Sequence, residues 1–474
     1  MYMSTICAPA TAPGGAMAII RVSGPEAISI TSRIFSKDLT EAKGYTLHYG
    51  YIRAPWDESD ETTRQSETHA KADAIIDDVL VSVFRSPHSY TGEDSTEISC
   101  HGSRYIVQKI TEALIQSGAR MATPGEFTKR AFLAGKMDLS QAEAVADLIA
   151  SSSEATHRMA MSQMRGGFSR ELDTLREQLL HITSLLELEL DFSDHEDIEF
   201  ADRAQLTELT DALYKHIQRL TDSFRTGNAL KTGIPVAIIG APNVGKSTLM
   251  NALVHDERAI VSDIQGTTRD LIEDTIQIEG ITFRFIDTAG IRKTTDRIEQ
   301  MGIERSLQAA RKADIIILLT EPNKQFPDIR IPHSPETPDL PIVLRVINKS
   351  DLVMPDSSFL YHRKQKNQDI YISSQTGAGM PILLSTLVSS AHQVLSVNQG
   401  NDSTIVTNLR HYEALHHALE AVARVRHAIA DNIPGDLIAE DLRQCLHHLA
   451  EITGGEITSD AILSNIFKNF CIGK

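Results

Sequence analysis

Gly240-Ala241-Pro242-Asn243-Val244-Gly245-Lys246-Ser247-Thr248 sets glycines, a lysine and two hydroxyls between the apolar run Pro235 to Ile239 and the segment Leu249 to Leu253. Strand, glycine-bounded loop and helix is the setting of a phosphate-binding loop. The glycines let backbone N–H groups turn inward toward phosphate oxygens. The helix start adds the positive end of its dipole. In such a loop Lys246 is expected on the β- and γ-phosphates and Ser247 on Mg²⁺, with Asn243, Val244, Gly245 and Thr248 around them. A lone match of this kind also describes an ordinary glycine-rich turn. Three further motifs follow in order and change that balance. Phe283 to Ile286 is a strand run into Asp287-Thr288-Ala289-Gly290, an Asp for the Mg²⁺ water shell and a glycine N–H for the γ-phosphate. Ile347-Asn348-Lys349-Ser350-Asp351 follows the apolar run Ile342 to Val346, and Asp351 offers two acceptors to the N1–H and amino group of guanine. Adenine would leave such a carboxylate unpaired, a mismatch worth roughly 10⁴-fold in discrimination. Ile370-Tyr371-Ile372-Ser373-Ser374 ends a strand in small residues that can back the base. Together these motifs specify a guanine-nucleotide domain of the Ras-like class.

The surrounding elements must hold these motifs in place. A chain of 474 residues, 41% of them hydrophobic, predicts two or three domains with real cores. It shows no apolar run long enough to span a membrane and no signal-peptide pattern. The expected setting is cytoplasmic, with Cys7, Cys100, Cys445 and Cys471 as reduced thiols. A net charge of −17 argues against a basic coat, so a nucleic-acid partner needs a local patch or a partner subunit to supply positive field. Residues 1–120 alternate strand runs (Ala18 to Val22, Thr46 to Ile52, Ala74 to Phe84, Thr96 to Cys100) with helical stretches at Ile28 to Phe35 and Val107 to Ile115. They read as an α+β domain with a polar loop at 57–71. From Thr123 the apolar spacing turns helical: Leu139 to Ile149, then Leu172 to Leu186, broken at Gly166-Gly167, then about 201–225. The acidic run Asp191 to Glu199 reads as a solvated helix end. Helical periodicity returns at Leu409 to Ile429 and Leu437 to Ile452. The expected plan is an α+β domain at 1–120, a helical domain at 121–229 and 391–474, and a G domain inserted at 230–390 between polar joints, Thr226 to Asn228 and Asn398 to Ser403.

Several stretches carry a family resemblance over almost the whole chain. Thr11 to Gly14, Ile20 to Gly24, Tyr90 to Asp94, Thr123 to Leu139, Gly266-Thr267-Thr268-Arg269-Asp270 and the terminal Cys471-Ile472-Gly473-Lys474 resemble the MnmE (TrmE) family of tRNA-modification GTPases. At Gly14 to Met17 the chain is shorter than the Gly/Arg-rich stretch usual in that family. The resemblance implies an N-terminal domain that binds 5,10-methylene- or 5-formyl-tetrahydrofolate through Arg21, Glu97, Lys136 and Lys474. Read without it, these residues are equally surface or core ion pairs. It further implies modification of C5 of the wobble uridine of tRNA, with the added carbon from methylene-tetrahydrofolate and the amine from glycine or ammonium. The implied assembly is a homodimer that forms a heterotetramer with the FAD- and NADH-using partner MnmG. Cys471 matches the family's terminal cysteine, proposed there as a nucleophile; a prenylation signal is not expected, because Gly473 is not aliphatic and Lys474 is a poor last residue for one. A ribosome-assembly GTPase of the Era-like type would leave residues 1–120 and the tail without a role. A folate-dependent aminomethyltransferase with a regulatory GTPase is the other alternative.

The hydrolytic step starts from an absence in the motif. Ras-like enzymes place a water-orienting Gln after Asp-Thr-Ala-Gly; here that residue is Ile291. The resemblance implies that Asn243, with Ser262, Ile264 and Thr267, holds K⁺ when two G domains meet, and that Thr268 joins Ser247 on Mg²⁺. Asp263, Gln265 and Gly266 lie in the same nucleotide loop, and Glu299 matches the family's water-orienting acid.

Overall fold

The computed structural model describes residues 4–12, 14–53, 75–191, 203–254, 259–261, 274–286, 308–327, 341–353, 369–396, 404–431, 433, 435–455, 463, 466–468, 470 and 473. The chain packs as two compact units.

The first comprises 1–146, 163–169 and 450–474. Its sheet runs β3-β4-β5-β2-β1-β6, from β1 (Ile6–Pro9), β2 (Met17–Ser23), β3 (Thr46–Arg53), β4 (Ile75–Phe84), β5 (Ser95–His101) and β6 (Arg120–Met121). Pairing is antiparallel throughout except for β1 with β6. Alternation along each strand sorts side chains to two faces. Ala18, Ile20 and Val22 of β2, Val79, Val81 and Val83 of β4, and Ile98 of β5 pack against α1 (Ala27–Ile34) and α2 (Arg104–Gln116). The intervening residues face the other way, so Arg21 and Glu97, direct partners in the β2–β5 register, meet on the side away from those helices. Ile6 and Ala8 join Ala122 and Phe127 of α3 (Glu126–Leu133) in a separate cluster. Leu139, Ala142, Leu463 and Phe467 form another core cluster of this unit.

The second unit comprises 147–162 and 170–449. Its sheet runs β13-β12-β11-β7-β10-β9-β8, from β7 (Ile234–Gly240), β8 (Ala259–Val261), β9 (Asp274–Ile278), β10 (Ile281–Phe285), β11 (Ile315–Thr320), β12 (Ile342–Ile347) and β13 (Ile370–Tyr371). The pairs from β13 to β10 are parallel, and β9 and β8 are antiparallel. Strands buried on both faces read as continuous apolar runs, which is how Ile234 to Ile239 and Ile315 to Leu319 look. One face packs on Leu249, Leu253, Leu383 and Leu387, the other on Ala309, Ala310 and Ala313. Helices cover both faces, a doubly wound sheet in which strand order reverses beside β7.

Long helices make up the rest: α4 (Leu139–Ala150), α5 (Glu154–Met164), α6 (Gly167–Asp191), α7 (Arg203–Thr232), α8 (Lys246–Val254), and then Met380–Ser396, Leu409–Ala430 and Gly435–Thr453. Two expectations change. The single break at Gly166 is joined by another at 151–153, with α5 between them. The joint expected at Thr226-Gly227-Asn228 is helix, because α7 continues to Thr232. Gly227 serves packing instead of a joint: a Cβ there would lie 2.0 Å from the Val406 carbonyl oxygen, so the glycine admits segment 404–407 against the helix. The Val406 N–H then donates to Ser223 Oγ at 3.0 Å, and Arg225 pairs with buried Asp314 at 2.7 Å. Among the described residues no helix is long and apolar enough to cross a membrane. The loop at 57–71 and the acidic run beyond Asp191 lie outside the described residues.

Candidate functional site

β7 delivers the phosphate loop at the carboxyl end of the parallel sheet, where its order reverses. Gly240 ends the strand, and a Cβ on it would sit 2.4 Å from the Leu319 carbonyl oxygen of β11. Asn243 turns through φ +62° and Gly245 through φ +95°. The chain then enters α8 at Lys246, earlier than the expected start at Leu249, with Leu249 N–H donating to Gly245 O at 2.9 Å. Val244 is buried and plugs the base of the loop. Lys246 Nζ donates to the carbonyls of Gly240 at 2.8 Å and Ala241 at 2.9 Å, spanning the loop mouth. Burial there holds its ammonium pKa below the ordinary lysine value. Ser247 and Thr248 follow in the first turn of α8, half-buried and exposed respectively.

The base-reading motif is tied to this loop by one side chain. Asn348, 2% exposed, donates from Nδ2 to Val244 O at 2.9 Å. Its Oδ1 accepts from the N–H and Oγ of Ser374, at 3.0 and 2.9 Å. Gly245 is the loop residue beneath that amide, and an added Cβ would stand 2.3 Å from Asn348 Nδ2. Lys349 adopts φ +60° and reaches back to Asn243 O at 2.6 Å, while Glu321 holds the same ammonium at 2.5 Å. Ser350, fully buried, donates from its N–H to Ile372 O at 3.1 Å. That bond fixes the 3-10 turn Ser350–Leu352, on which Asp351 is exposed. Ser373 is buried, and its N–H donates to Ala378 O at 2.8 Å. The structure thus brings together Asn243, Val244, Gly245, Lys246, Asn348, Lys349, Ser373 and Ser374. Ser262, Asp263, Ile264, Gln265, Gly266, Thr267, Thr268, Asp287, Thr288, Ala289, Gly290 and Glu299 lie outside the described residues.

The cradle fits phosphate. Its two clearance-limited glycines and its left-handed turn keep side chains out of the concavity, and the loop runs into the start of α8, the positive end of a helix dipole. Of the two hydroxyl residues expected on Mg²⁺, Ser247 and Thr268, Ser247 is among the described residues. Glu321, which holds Lys349, went unseen in the sequence because nothing local links the two residues.

A second constellation lies in the first unit. Arg21 donates from Nε to Glu97 Oε1 at 2.9 Å, and its Nη2 stands 2.7 Å from the same oxygen. The guanidinium lies 5.3 Å from the centre of the Tyr90 ring and 5.7 Å from that of Phe127, within cation–π range. Nη1 donates to Gly473 O at 3.4 Å. Lys136 donates to Pro87 O at 2.8 Å, on the segment leading to Tyr90. Lys474 and Cys471 lie outside the described residues. Tyr90 and Phe127 belong to stretches that carried the family resemblance, but their roles beside Arg21 were missed. Under them lies a buried ion network. Arg130, 1% exposed in its side chain, pairs with Glu126 at 2.9 Å and Glu93 at 3.0 Å, and Arg120 also holds Glu126. Burial raises the Glu126 pKa, but hydrogen bonds from Arg120, the Thr123 N–H and Arg130 outweigh it and bring the value down to about 2. Cys7, Cys100 and Cys445 are free and buried. Burial pushes their thiols up to about 11, 11 and 12, so none is poised as a thiolate.

Sheet order, phosphate loop and base-reading turn define a P-loop GTPase of the Ras-like fold. The family profile for the GTP-binding protein TrmE N-terminus matches residues 5–136, and that for the MnmE helical domain matches residues 139–471. The chain is similar to proteins described as tRNA modification GTPase MnmE from Phocaeicola vulgatus (53% identity, covering 99% of each chain) and Bacteroides fragilis (52%, 100% of each). A third, from Parabacteroides distasonis, is 53% identical over 100% of each chain. The chain belongs to the tRNA modification GTPase MnmE family and is a GTPase.

Proposed function

We propose that this protein couples GTP hydrolysis to tRNA modification. With an FAD-dependent partner it would add an aminomethyl or carboxymethylaminomethyl group to C5 of the wobble uridine, taking the methylene carbon from methylene-tetrahydrofolate and the amine from ammonium or glycine. The observation that supports the GTPase half most directly is Asn348, which joins the phosphate loop to the base-reading turn. In this reading Lys246 and the N–H groups of the loop bind the β- and γ-phosphates. Asp351 selects guanine, while Ser373 and Ser374 back the base. Bound Mg²⁺, held by Ser247 and Thr268, would neutralise phosphate charge during transfer. Asn243 would offer an oxygen to K⁺ when two G domains pair, and Glu299 would orient the attacking water. The G domain is read as an insertion at 230–390, supported by the meeting of α7 with segment 404–407 at its flanks.

The folate half rests on Arg21, Glu97 and Lys136. A pterin presents donors that a carboxylate can accept, and the glutamate tail presents an anion for a cation. A homodimer joined by the FAD-dependent subunit would supply the positive field for tRNA that a chain of charge −17 lacks. Calorimetry with 5-formyl-tetrahydrofolate tests the assignment. Arg21→Ala, Glu97→Ala and Lys136→Ala should each weaken folate binding by about tenfold or more and leave GTP turnover near the wild-type value. Unchanged folate affinity in all three folded variants would remove these residues from the site.

A further inference from the structure

Among the described residues, five that are not glycine hold a left-handed backbone, and three of them are tied to one carboxylate. Asn243 (φ +62°) turns the phosphate loop, Lys349 (φ +60°) precedes the base-reading turn, and Asn323 (φ +63°) bends the chain just after β11. Such conformations persist where surrounding contacts over-determine them, and they cluster at ligand clamps and switches. Here the contacts converge on Glu321, the first residue past β11. Its Oε1 holds the Lys349 ammonium at 2.5 Å, and that ammonium donates to Asn243 O at 2.6 Å. Its Oε2 holds Lys324 at 2.6 Å, and the Lys324 N–H closes the turn through Asn323 by donating to Glu321 O at 3.2 Å. Next to it the Asn348 N–H donates to Thr320 O at 2.8 Å, which joins the base-reading motif to the end of β11. Hydrogen bonds from Lys324 and Lys349 hold the Glu321 carboxyl below the ordinary glutamate range. Two consecutive carbonyls of the phosphate loop, Asn243 and Val244, are thus held by two consecutive residues of the base-reading motif, Lys349 and Asn348. Asn348 is buried, but Lys349 is a flexible, strongly hydrated cation with a side chain 37% exposed. Its place on the loop depends on an anion, and Glu321, 18% exposed in its side chain, supplies one.

We propose that Glu321 is a positioning residue for nucleotide retention: it fixes the Lys349 ammonium on the Asn243 carbonyl and so keeps the phosphate loop and the base-reading turn closed around a bound guanine nucleotide. This rests on the nucleotide reading above and deepens it. Glu321 acts through Lys349, not on the nucleotide. Its charge is what counts, because a neutral amide of the same size holds an ammonium less tightly than a carboxylate does. Lys324, 64% exposed on the other carboxylate oxygen, balances charge and adds little to the tether.

Stopped-flow binding and release of methylanthraniloyl-GDP by the full-length protein with Mg²⁺ tests the proposal. Glu321→Gln keeps the shape of the side chain and removes its charge. The probe should leave this variant about tenfold faster or more, the scale of a lost charge-assisted hydrogen bond. Its association rate should stay within about twofold, since a tether that closes after encounter acts on release. Glu321→Asp restores the anion and should bring release back to within about threefold of wild type, and Lys324→Ala should stay within the same range. Lys349→Met removes the tether itself. In that background Glu321→Gln should add less than about twofold, because the two residues act as one unit. Wild-type release from Glu321→Gln, no recovery in Glu321→Asp, or a full further effect of Glu321→Gln in the Lys349→Met protein would each overturn the proposal. A wild-type protein that does not bind the probe would overturn the nucleotide reading, and the proposal with it.

Discussion

Asn348 and Asp351 belong to one motif, but the fold gives them opposite surroundings. Asn348 is buried and spends both ends of its amide on protein partners, so its task is to join two loops. Asp351 is exposed on a turn held by Ser350, where the proposed reading has its carboxylate select guanine. Their substitutions should therefore separate. Asp351→Asn exchanges an acceptor for a donor opposite guanine, so GDP affinity should fall by about 10- to 10²-fold, the scale of a charge-assisted hydrogen bond. Affinity for xanthosine diphosphate should rise, since that base presents an oxygen where guanine has its amino group. Asn348→Ala should weaken both nucleotides together, because it leaves Val244 O and Ser374 unpaired. Calorimetry with the two diphosphates reads the difference; parallel loss in Asp351→Asn would remove it from base selection.

At the scale of elements, the Glu93–Arg130–Glu126–Arg120 network fixes α3 beneath the loop that carries Tyr90. Glu126 has a folded pKa of about 2 against an ordinary 4.5. A carboxylate with a depressed pKa stabilises the fold above its unfolded value and loses that contribution as pH falls through the folded one. Between about pH 5 and pH 2 the first unit should lose on the order of 3 kcal/mol from this group. Glu126→Gln should destabilise the protein at pH 7 by a similar amount, since it leaves buried Arg130 short of charge, and should flatten the acid dependence. Urea denaturation followed by circular dichroism from pH 7 to pH 3 measures both; equal acid sensitivity of the two proteins would contradict the assignment. This network went unread in the sequence. Thr123 to Leu139 stood out as a family stretch, and Glu126–Arg130 is an i,i+4 pair within it, but the link to Glu93 joins distant segments and has no local signal. The nucleotide motifs were legible because they are continuous, each a strand, a turn and a few side chains. Strands and long helices followed from their apolar periods. The run of α7 past Gly227 did not, because the glycine answers to Val406, far away in the chain.

At the scale of the molecule, the hydrolytic apparatus is expected to be completed between two copies. Ile291 cannot orient a water, and the proposed remedy is K⁺ at Asn243 with Glu299 on the water. Wild-type turnover in K⁺ should exceed that in Na⁺ by about 10-fold or more, a share of what a supplied cation gives in related enzymes. Asn243→Ala should abolish the difference, and Glu299→Ala should slow turnover while GTP still binds. Equal rates in the two salts at matched ionic strength would exclude the cation mechanism. The central claim is that this GTPase serves tRNA modification, and mass spectrometry of tRNA nucleosides tests it most directly. Cells lacking the protein should lose aminomethyl- and carboxymethylaminomethyl-uridine at the wobble position. Wild-type protein should restore them and Glu299→Ala should not. An unchanged wobble-nucleoside profile in cells without the protein would contradict the account.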